Sequence, residues 1–484
     1  MTIEETVQEM ERVLKLQKKL YVDEETPSLE LRQDRLTRCV AMLKKYNVEI
    51  LDAIQEDFGN RDSKAGFMSE IMSTIGSIEH SKDHVKKWMK DEKRKSNGSQ
   101  PFAIRSIMSL AGAKSWIKYQ PLGTVGVVSP WNFPINLVLA PLGTIFAAGN
   151  RVMIKPSEYT EVTSELTKEM FKEYFDEGEA AVFTGGPEIG AAFSALPFDH
   201  LLFTGSTQTG KLVMKSASEN LVPVTLELGG KSPVIVDEKA DLKKTATRVM
   251  RGKTMNAGQI CLAPDYVMVP KGKSEEFVKE SESAVTEMFE NLKYNDDYTS
   301  VINEKHYDRL NSLIEDAKEK GADIRVINPA DEDFSQQEVH KIPPTLVLNP
   351  TDDMKIMKEE IFGPLLPVKE YEDFDETINY VNANDRPLGL YYFGDNKERE
   401  SDVLNNTISG GVTLNDVIWH IGQEDIPFGG VGPSGQGNYH GFDGFKNFSH
   451  AKAIYKQFSI DLLAPMMPPY KGKMFKSTKE SVLK

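Results

Sequence analysis

The 484-residue chain contains few cysteines and no long apolar run. Cys39 and Cys261 are its two cysteines, too few for a disulfide framework, and this favours a reducing compartment. The N-terminal stretch MTIEETVQEMERVLKL is acidic and lacks the apolar centre of a signal peptide. The longest apolar candidate, LVLAPLGTIFAAG, is interrupted by Pro141 and two glycines. We therefore expect a cytoplasmic protein with no membrane partner.

Basic residues and metal-ligand motifs are also scarce. The sequence has 58 Lys and Arg against 73 Asp and Glu, a formal net charge of -15, and no basic stripe, so nucleic acid is not an expected partner. The eight histidines are scattered, with no HExxH or similar spacing, and no G-x-S-x-G turn is present. These patterns predict neither a metal site nor a serine hydrolase.

The pattern of apolar residues changes along the chain. Residues 1–95 are predicted to be helical, because the stretch LTRCVAMLKKYNVEILDAIQEDF has the period of an amphipathic helix. Cys39 lies on this pattern and is expected to be a packing residue, and the charged stretch KWMKDEKRKSNGSQP is predicted to be a linker that closes this region. From about 101 to 230, short apolar runs ending in Gly, Pro or Ser alternate with helical stretches, which predicts parallel βαβ units. A second alternating region covers 231–425, and the sequence from 426 onward is glycine-rich and then mixed. At this length we expect two or three domains.

Cys261 lies in NAGQICLAPD, a loop-like stretch that begins Asn-Ala-Gly. A lone cysteine can be core packing, since free cysteine is among the most buried residue types, or it can be a nucleophile. The cysteine alone does not distinguish these two roles. A nucleophile would also need a base and a donor for the oxyanion that its attack creates.

Two polar residues occur where the surrounding residues are apolar. Glu227 lies in the strand-like stretch VTLELGGKSP, where burial would raise its pKa and make it a usable base. Pairing with a lysine is the alternative. Asn132 lies between two aromatic residues and two prolines in VVSPWNFPINL, where a stiff loop could hold its amide as an oxyanion donor. A turn-capping asparagine is the alternative there.

Two glycine-rich stretches resemble phosphate-binding loops. HLLFTGSTQTGKL fits G-x-x-x-x-G-K, but Leu212 stands where a P-loop needs Ser or Thr to bind magnesium. Its backbone N–H groups could still hold a pyrophosphate, with a plain βα turn as the alternative. Gly430, Gly432 and Gly435 form G-x-G-x-x-G, but Pro433 lies inside the motif and no helical pattern follows. We expect a tight loop there.

Two weaker stretches complete the set of candidate motifs. IKPSE follows a predicted strand and places Lys155 and Glu158 at its end, where open α/β sheets bind ligands. EEIFGP, residues 359–364, is a charged and then apolar turn. Taken singly, both are typical of ordinary surface segments.

Together these stretches resemble the NAD(P)-dependent aldehyde dehydrogenase superfamily. The similar motifs follow the family's order from Pro130 to Gly435; they are PWNFP, IKPSE, FTGSTQTG, LELGGKSP, NAGQICLAPD, EEIFGP and PFGGVGPSG. FSALPFDHLLFTGST and NYHGFDGFKNFSH are similar to the class 3 branch, and within it to bacterial enzymes that act on coniferyl aldehyde.

The resemblance implies an α/β fold with a Rossmann-type cofactor domain, an α/β catalytic domain and a small oligomerisation element. The implied limits are 1–230 for the NAD-binding domain, with 103–121 as a bridging hairpin, 231–425 for the catalytic domain, and 426–484 for a return segment and oligomerisation tail. Similarity to class 3 further implies a homodimer, held together by the hairpin and by the tail.

The resemblance also assigns roles to single residues. Cys261 matches the family's nucleophile, Glu227 its general base and Asn132 its oxyanion donor. The implied cofactor-binding residues are Lys155 and Glu158 at the adenine-side ribose, Ser206 in the pyrophosphate turn, Glu360 and Phe362 at the nicotinamide ribose and ring, and in addition Trp131, Ser157, Gly205 and Leu228.

The implied reaction is oxidation of an aldehyde to the acid through a thiohemiacetal and a thioester on Cys261. The aldehyde would be aromatic and similar to coniferyl aldehyde, or aliphatic and of medium or long chain. NAD would be preferred, because Glu158 would repel a 2′-phosphate, and NADP would be tolerated. A CoA-acylating dehydrogenase and a non-catalytic redox sensor on the same scaffold are alternatives. Glu227 favours hydrolysis over acylation of CoA.

Overall fold

The computed structural model describes residues 2–95, 112–457, 467–470 and 473–483. The strands of these residues form three sheets. In chain order the strands are β1 Glu92–Arg94, β2 Lys114–Pro121, β3 Thr124–Val128, β4 Arg151–Lys155, β5 Ala180–Val182, β6 His200–Thr204, β7 Val224–Glu227, β8 Pro233–Val236, β9 Tyr266–Pro270, β10 Asp323–Val326, β11 Thr345–Leu348, β12 Leu365–Tyr371, β13 Gly389–Phe393, β14 Gly411–Leu414, β15 Gly435–Gln436 and β16 Ser449–Lys456.

Helices surround these sheets. They are α1 Ile3–Asp23, α2 Leu29–Lys45, α3 Asn47–Phe58, α4 Ser63–Gly66, a π-helix Phe67–Met72, α5 Ser73–Trp88, α6 Asn136–Ala148, α7 Glu161–Tyr174, α8 Pro187–Ser194, α9 Thr207–Ser218, α10 Leu242–Thr254, a 3₁₀ turn Met255–Gly258, α11 Ser274–Met288, α12 Glu304–Glu319, α13 Lys355–Lys358, α14 Phe374–Ala383, α15 Lys397–Asn406, a 3₁₀ turn Trp419–Gly422, α16 Gly441–Asn447 and α17 Lys473–Val482. Among the described helices, none is both long and apolar enough to cross a bilayer.

The first sheet has the order β15-β7-β6-β3-β4-β5. Its neighbouring strands are parallel, except that β15 runs antiparallel to β7. The central strands β3, β4 and β6 are almost entirely buried, as expected for short apolar strands covered on both faces. From β3 the chain passes to one side through β4 and β5 and then returns to the other side of β3 at β6, so the direction of winding changes between β3 and β6. Open α/β sheets bind ligands at the carboxyl ends of strands at such a position. This is the predicted Rossmann-type arrangement.

The second sheet has the order β10-β11-β12-β9-β8-β13-β14 and comes from residues 233–414. Only β10, at one edge, is antiparallel to its neighbour. Apolar side chains of β8 and β9 fill its centre; Val234, Val236, Val267 and Val269 are fully buried. The strands predicted at SPVIVD, YVMVP and ISGGVTLND all belong to this sheet, and the α/β fold is confirmed.

A third, antiparallel sheet joins β1, β2 and β16. Strand β1 corrects our prediction that residues 1–95 are helical and end in a charged linker, because Glu92–Arg94 pairs with β2 and so satisfies its backbone groups. Most of β16 is exposed. Residues 103–111 of the predicted bridging hairpin, and 458–466, 471, 472 and 484 of the predicted tail, lie outside the described residues.

Candidate active site

Cys261 follows a tightly turned segment at the end of α10. Asn256 and Ala257 have positive φ angles of 48° and 50°, a left-handed conformation that few side chains tolerate. Gly258 continues the turn at φ +72°, where a Cβ would collide with the carbonyl of Gly363. The sequence Asn-Ala-Gly therefore determines the direction in which the chain presents the cysteine.

The two cysteines lie in different environments. Cys39 is fully buried in α2, as predicted for a packing residue. Cys261 is partly exposed, while its neighbours Ile260 and Leu262 are buried. Burial, and after it the charge of Glu360, raises the pKa of the Cys261 thiol to about 12. The thiol therefore needs a nearby positive charge to become a thiolate near neutral pH.

Asn132 is brought against the cysteine loop from the carboxyl end of β3. Its side-chain amide donates to the carbonyl of Gln259 at 3.1 Å, two residues before Cys261. The Asn256 amide in turn donates to the carbonyl of Asn132 at 3.1 Å. Asn132 does not cap α6, which begins after Ile135 and has no side-chain cap. The Asn132 side chain therefore does not cap this helix, and its amide lies beside the cysteine loop.

Glu227 ends β7 and is 3% exposed. Both of its carboxylate oxygens are buried without a hydrogen-bond partner among the described residues, so the predicted alternative of a lysine pair is wrong. Burial raises the pKa of Glu227 well above its ordinary value. The charge of Glu227 contributes to the raised pKa values of Cys261 and Tyr439.

The glycine-rich stretch after Phe428 forms the predicted tight loop against Glu227. Gly435 in β15 pairs with Glu227, and Gly432 bridges back to Gly435. A Cβ at Gly429 would lie 3.1 Å from the Glu227 Oε1. Gly429 thus allows the backbone to approach the buried carboxylate, whereas Cβ atoms at Gly430 and Gly435 would collide with the backbone of Ser434 and Leu226.

Tyr439 is a buried aromatic residue beside the glycine-rich loop, and the sequence does not identify it. It is 2% exposed, and its ring lies 5.7 Å from that of Phe428. Burial raises the pKa of its hydroxyl, as do the charges of Glu227 and Cys261. Its place in NYHGFDG, directly before a short helix, gives no periodic signal, so only the folded chain reveals it.

Glu360 and Phe362 lie on the loop that precedes β12. The Glu360 carboxylate lies directly over Gly229, where any Cβ would collide with it, and its Oε1 has no partner among the described residues. Burial, followed by the charge of Asp265, raises the pKa of Glu360 to about 8. Phe362 has a positive φ of 49°, and its ring packs edge-on to Trp131 at 5.3 Å.

Three charged side chains that the sequence does not identify hold this loop. Lys231 forms an ion pair with Asp265 and donates to the carbonyl of Glu359 at 2.9 Å. Asp265 accepts the N–H of Ile361 at 2.9 Å. Arg309 donates to the carbonyls of Glu360 and Ile361. Lys231 and Asp265 lie inside quoted motifs, but only the fold brings them to one loop.

The predicted ribose-side residues lie at the carboxyl end of β4. Lys155 is buried and donates to the exposed Glu158 at 2.8 Å. The Ser157 hydroxyl accepts the N–H of Tyr159 at 3.2 Å. The Cα of Gly190 lies near the Lys155 side chain, because a Cβ there would be 3.8 Å from the lysine Cε. The Lys155 and Glu158 side chains, both able to form hydrogen bonds, therefore lie beside each other at the carboxyl end of β4.

The predicted pyrophosphate turn lies between β6 and α9. Ser206 caps α9 by accepting the N–H of Thr209 at 3.2 Å. A Cβ at Gly205 would collide with Phe203, so the turn has space only for backbone. Leu228 is buried and packs against Gly210 of α9. Backbone N–H groups at a helix start with no side chain in front of them can approach a phosphate.

The carboxyl ends of neighbouring parallel strands therefore meet along one edge of the first sheet. Asn132 follows β3, Lys155 ends β4, Ser206 follows β6 and Glu227 ends β7. Cys261 approaches from the second sheet. The start of α9, the Lys155 and Glu158 pair and the unpartnered Glu360 oxygen are groups that could hold a dinucleotide along this edge.

The fold and this set of groups define a nucleotide-dependent oxidoreductase with a cysteine at its centre. Residues 4–454 match the aldehyde dehydrogenase family, and the chain belongs to that family. The family's proteins use NAD(P) to oxidise aldehydes.

The most informative relatives are bacterial. The chain is 54% identical to a "probable coniferyl aldehyde dehydrogenase" of Caulobacter vibrioides, over 95% of this chain and 94% of that protein. It is 48% identical to a coniferyl aldehyde dehydrogenase of a Pseudomonas species, over 92% and 90% of the two chains. A substrate-bound structure of Staphylococcus aureus AldH has 37% identity and a TM-score of 0.88, and the match covers 98% of this chain and 99% of that one.

Proposed function

We propose that this protein oxidises coniferyl aldehyde, or aromatic aldehydes of similar shape, to the carboxylic acids with NAD. The observations that support the proposal are the hydrogen bond from the Asn132 amide to the carbonyl two residues before Cys261, and the buried Glu227 carboxylate, which has no partner among the described residues and whose charge acts on the Cys261 thiol. The identities of 54% and 48% to the two coniferyl aldehyde dehydrogenases support the substrate class.

In the proposed reaction, the Cys261 thiolate attacks the aldehyde carbon and forms a thiohemiacetal. The Asn132 amide and a backbone N–H near Cys261 stabilise the oxygen as it becomes negative. Bound NAD supplies the hydride acceptor, and loss of hydride leaves a thioester on the cysteine. Glu227 takes a proton from water, the hydroxide adds to the thioester, and the C–S bond breaks to release the acid and the thiolate.

The raised pKa of the thiol links the first step to the cofactor. A thiol with a pKa of about 12 is almost entirely protonated near neutral pH. The nicotinamide ring of NAD carries a positive charge, and a positive neighbour favours a thiolate. Cysteine activation should therefore follow cofactor binding, which limits attack by the thiol when no hydride acceptor is present.

Glu158 and Lys155 together support a modest preference for NAD. The Glu158 carboxylate can accept hydrogen bonds from ribose hydroxyls and repels a 2′-phosphate. Its 2.8 Å ion pair with Lys155 leaves little net charge at this position. NADP should therefore be accepted, at lower efficiency than NAD.

The remaining parts of the proposal concern organisation. We infer a cytoplasmic homodimer, because both cysteines are free thiols and because the exposed strand β16 lies in the sheet that contains part of the predicted bridging hairpin. The proposed domain limits are 1–230, 231–425 and 426–484. The division near residue 230 has support in the two separate parallel sheets on either side of it.

A substrate panel tests the function directly. Purified protein is assayed for NADH formation with coniferyl aldehyde, cinnamaldehyde, decanal and acetaldehyde, each with and without coenzyme A. We expect the highest kcat/KM with coniferyl aldehyde, free acid as the product in both conditions, and no activity in Cys261→Ala. Preference for decanal, or an acyl-CoA product, would contradict the proposal.

A further inference from the structure

A buried ion pair lies directly behind the Asn132 loop. Arg61 Nη2 is 2.8 Å from Glu70 Oε1, and the two side chains are 2% and 0% exposed. Glu70 lies on the π-helix Phe67–Met72, and such interruptions of α-helices often occur at functional sites. No motif quoted above includes either residue.

Arg61 holds one end of the Asn132 loop. Its Nη1 donates to the main-chain carbonyl of Asn132 at 2.8 Å. The guanidinium group lies over the rings of Phe58 and Phe133, 4.8 and 4.9 Å from their centroids. The two rings restrict the orientation of the planar group, which holds the Asn132 carbonyl together with the Asn256 amide.

Glu70 holds the other end of the same loop. Its Oε2 accepts the N–H of Ile135 at 3.1 Å and the N–H of Asn136 at 2.8 Å, where α6 begins. A carboxylate that accepts two backbone donors at a helix start is a strong and directional contact. The four residues from Asn132 to Ile135 are therefore fixed at both ends by one ion pair.

Stability alone gives a poor account of such a pair. Desolvation of two buried charges offsets most of their attraction, and apolar replacements of both partners are often neutral or stabilising. An oxyanion donor, in contrast, must be held within about 0.5 Å of its working position to be effective. The contacts of the pair converge on the backbone that carries the Asn132 amide.

We propose that Arg61 and Glu70 are positioning residues that fix the Asn132 amide for the oxyanion. The inference rests on the proposed role of Asn132. It predicts that loss of the pair slows the step that develops negative charge on oxygen, leaving binding of NAD unchanged.

The test removes both charges at once, since a single stranded charge could prevent folding. The double variant Arg61→Met with Glu70→Met is compared with a matched control, Arg35→Met with Glu179→Met. Arg35 is equally buried, pairs with Glu179 at 3.0 Å and donates to the carbonyl of Asn150 at 3.2 Å, at the end of β4 opposite Lys155. Arg38 also pairs with Glu179 and keeps Asp34 as its partner in the control. We expect kcat to fall at least tenfold in the first variant, with KM for NAD unchanged, and no fall in the control.

A double-mutant cycle that combines loss of the ion pair with Asn132→Ala separates an effect on the position of the Asn132 amide from a general disturbance of the active site. If the pair acts through Asn132, its removal should cost nothing further in the Asn132→Ala background. Normal kcat in the folded double variant, or a loss that adds fully to that of Asn132→Ala, would overturn the inference. Near-normal kcat in Asn132→Ala alone would instead refute the proposed role of Asn132. If the double variant does not fold, Glu70→Gln, which keeps the size of the side chain, takes its place in the same cycle.

Discussion

Replacement of Glu227 by Gln should separate the two halves of the proposed reaction. The carboxylate is 3% exposed and has no hydrogen-bond partner among the described residues, so the substitution breaks no polar contact there. Thiol attack and hydride loss do not need the carboxylate, whereas hydrolysis of the thioester needs a base. Turnover should fall by about 10²–10⁴-fold, which is ~2.7–5.4 kcal/mol of barrier.

The same substitution should leave the folded state intact. Because burial raises the pKa of Glu227 in the folded protein, the neutral form is favoured there. Its contribution to stability is fully present below the unfolded pKa of about 4.3 and is lost as pH rises through the folded pKa. At neutral pH the amide carries no charge to desolvate, so the melting temperature of Glu227→Gln should equal or exceed that of the parent.

The assay is a rapid mix with NAD and coniferyl aldehyde, followed by intact-mass measurement. We expect at most one equivalent of NADH per subunit and an acyl adduct on Cys261, with Cys261→Ala as the control that forms neither. In the parent protein kcat should rise with pH as Glu227 loses its proton, and this limb should disappear in the variant. Near-normal turnover without an adduct would show that Glu227 is not the base that activates water. It would point instead to Glu360, the other carboxylate whose charge raises the pKa of the Cys261 thiol.

Three further outcomes follow from the site. Alkylation of Cys261 by iodoacetamide should be slow at neutral pH without cofactor, and its rate should rise about tenfold per pH unit below the thiol pKa of about 12. The rate should increase when NAD is bound. Equal rates with and without NAD would contradict activation of the thiol by the positive charge of the cofactor. Asp265→Asn should loosen the loop of Glu360, raising KM for NAD severalfold while hydrolysis of a phenyl ester by the thiol stays unchanged; a matching loss of esterase activity would indicate general damage. Glu158→Gln should raise the NADP-to-NAD ratio of kcat/KM about tenfold, ~1.4 kcal/mol, and an unchanged ratio would show that this carboxylate does not select the nucleotide.

Short-range patterns were enough to predict the sheets and the positions of several site residues. The apolar runs that became β3, β4 and β6 end where their sequence indicates, and parallel strands bring those ends to one edge. Asn132, Lys155, Ser206 and Glu227 are therefore neighbours for a reason visible in the sequence. The contacts that bear on the alternatives at Glu227 and Asn132 are visible only in the fold: the Glu227 carboxylate has no hydrogen-bond partner among the described residues, and the Asn132 amide donates to Gln259.

The supporting residues could not be predicted in this way. Arg61 meets Asn132 across 71 positions of sequence, and Asp265 meets Ile361 across 96. No period or spacing connects such pairs, because their contact depends on how separate elements pack. Strand β1 was missed for the same reason, since its charged residues form a strand only through pairing with β2.

The carbonyl of Gln259 has two amide donors, Asn132 at 3.1 Å and Asn256 at 3.3 Å. If the Asn132 amide turns from this carbonyl to a substrate oxygen, Asn256 still satisfies the acceptor. A buried carbonyl stripped of its last donor would cost about 1–3 kcal/mol, and the spare donor avoids that cost. The Asn132 amide can therefore hydrogen-bond the substrate oxygen and return to the Gln259 carbonyl after each turnover. This carbonyl keeps a hydrogen-bond donor throughout the cycle.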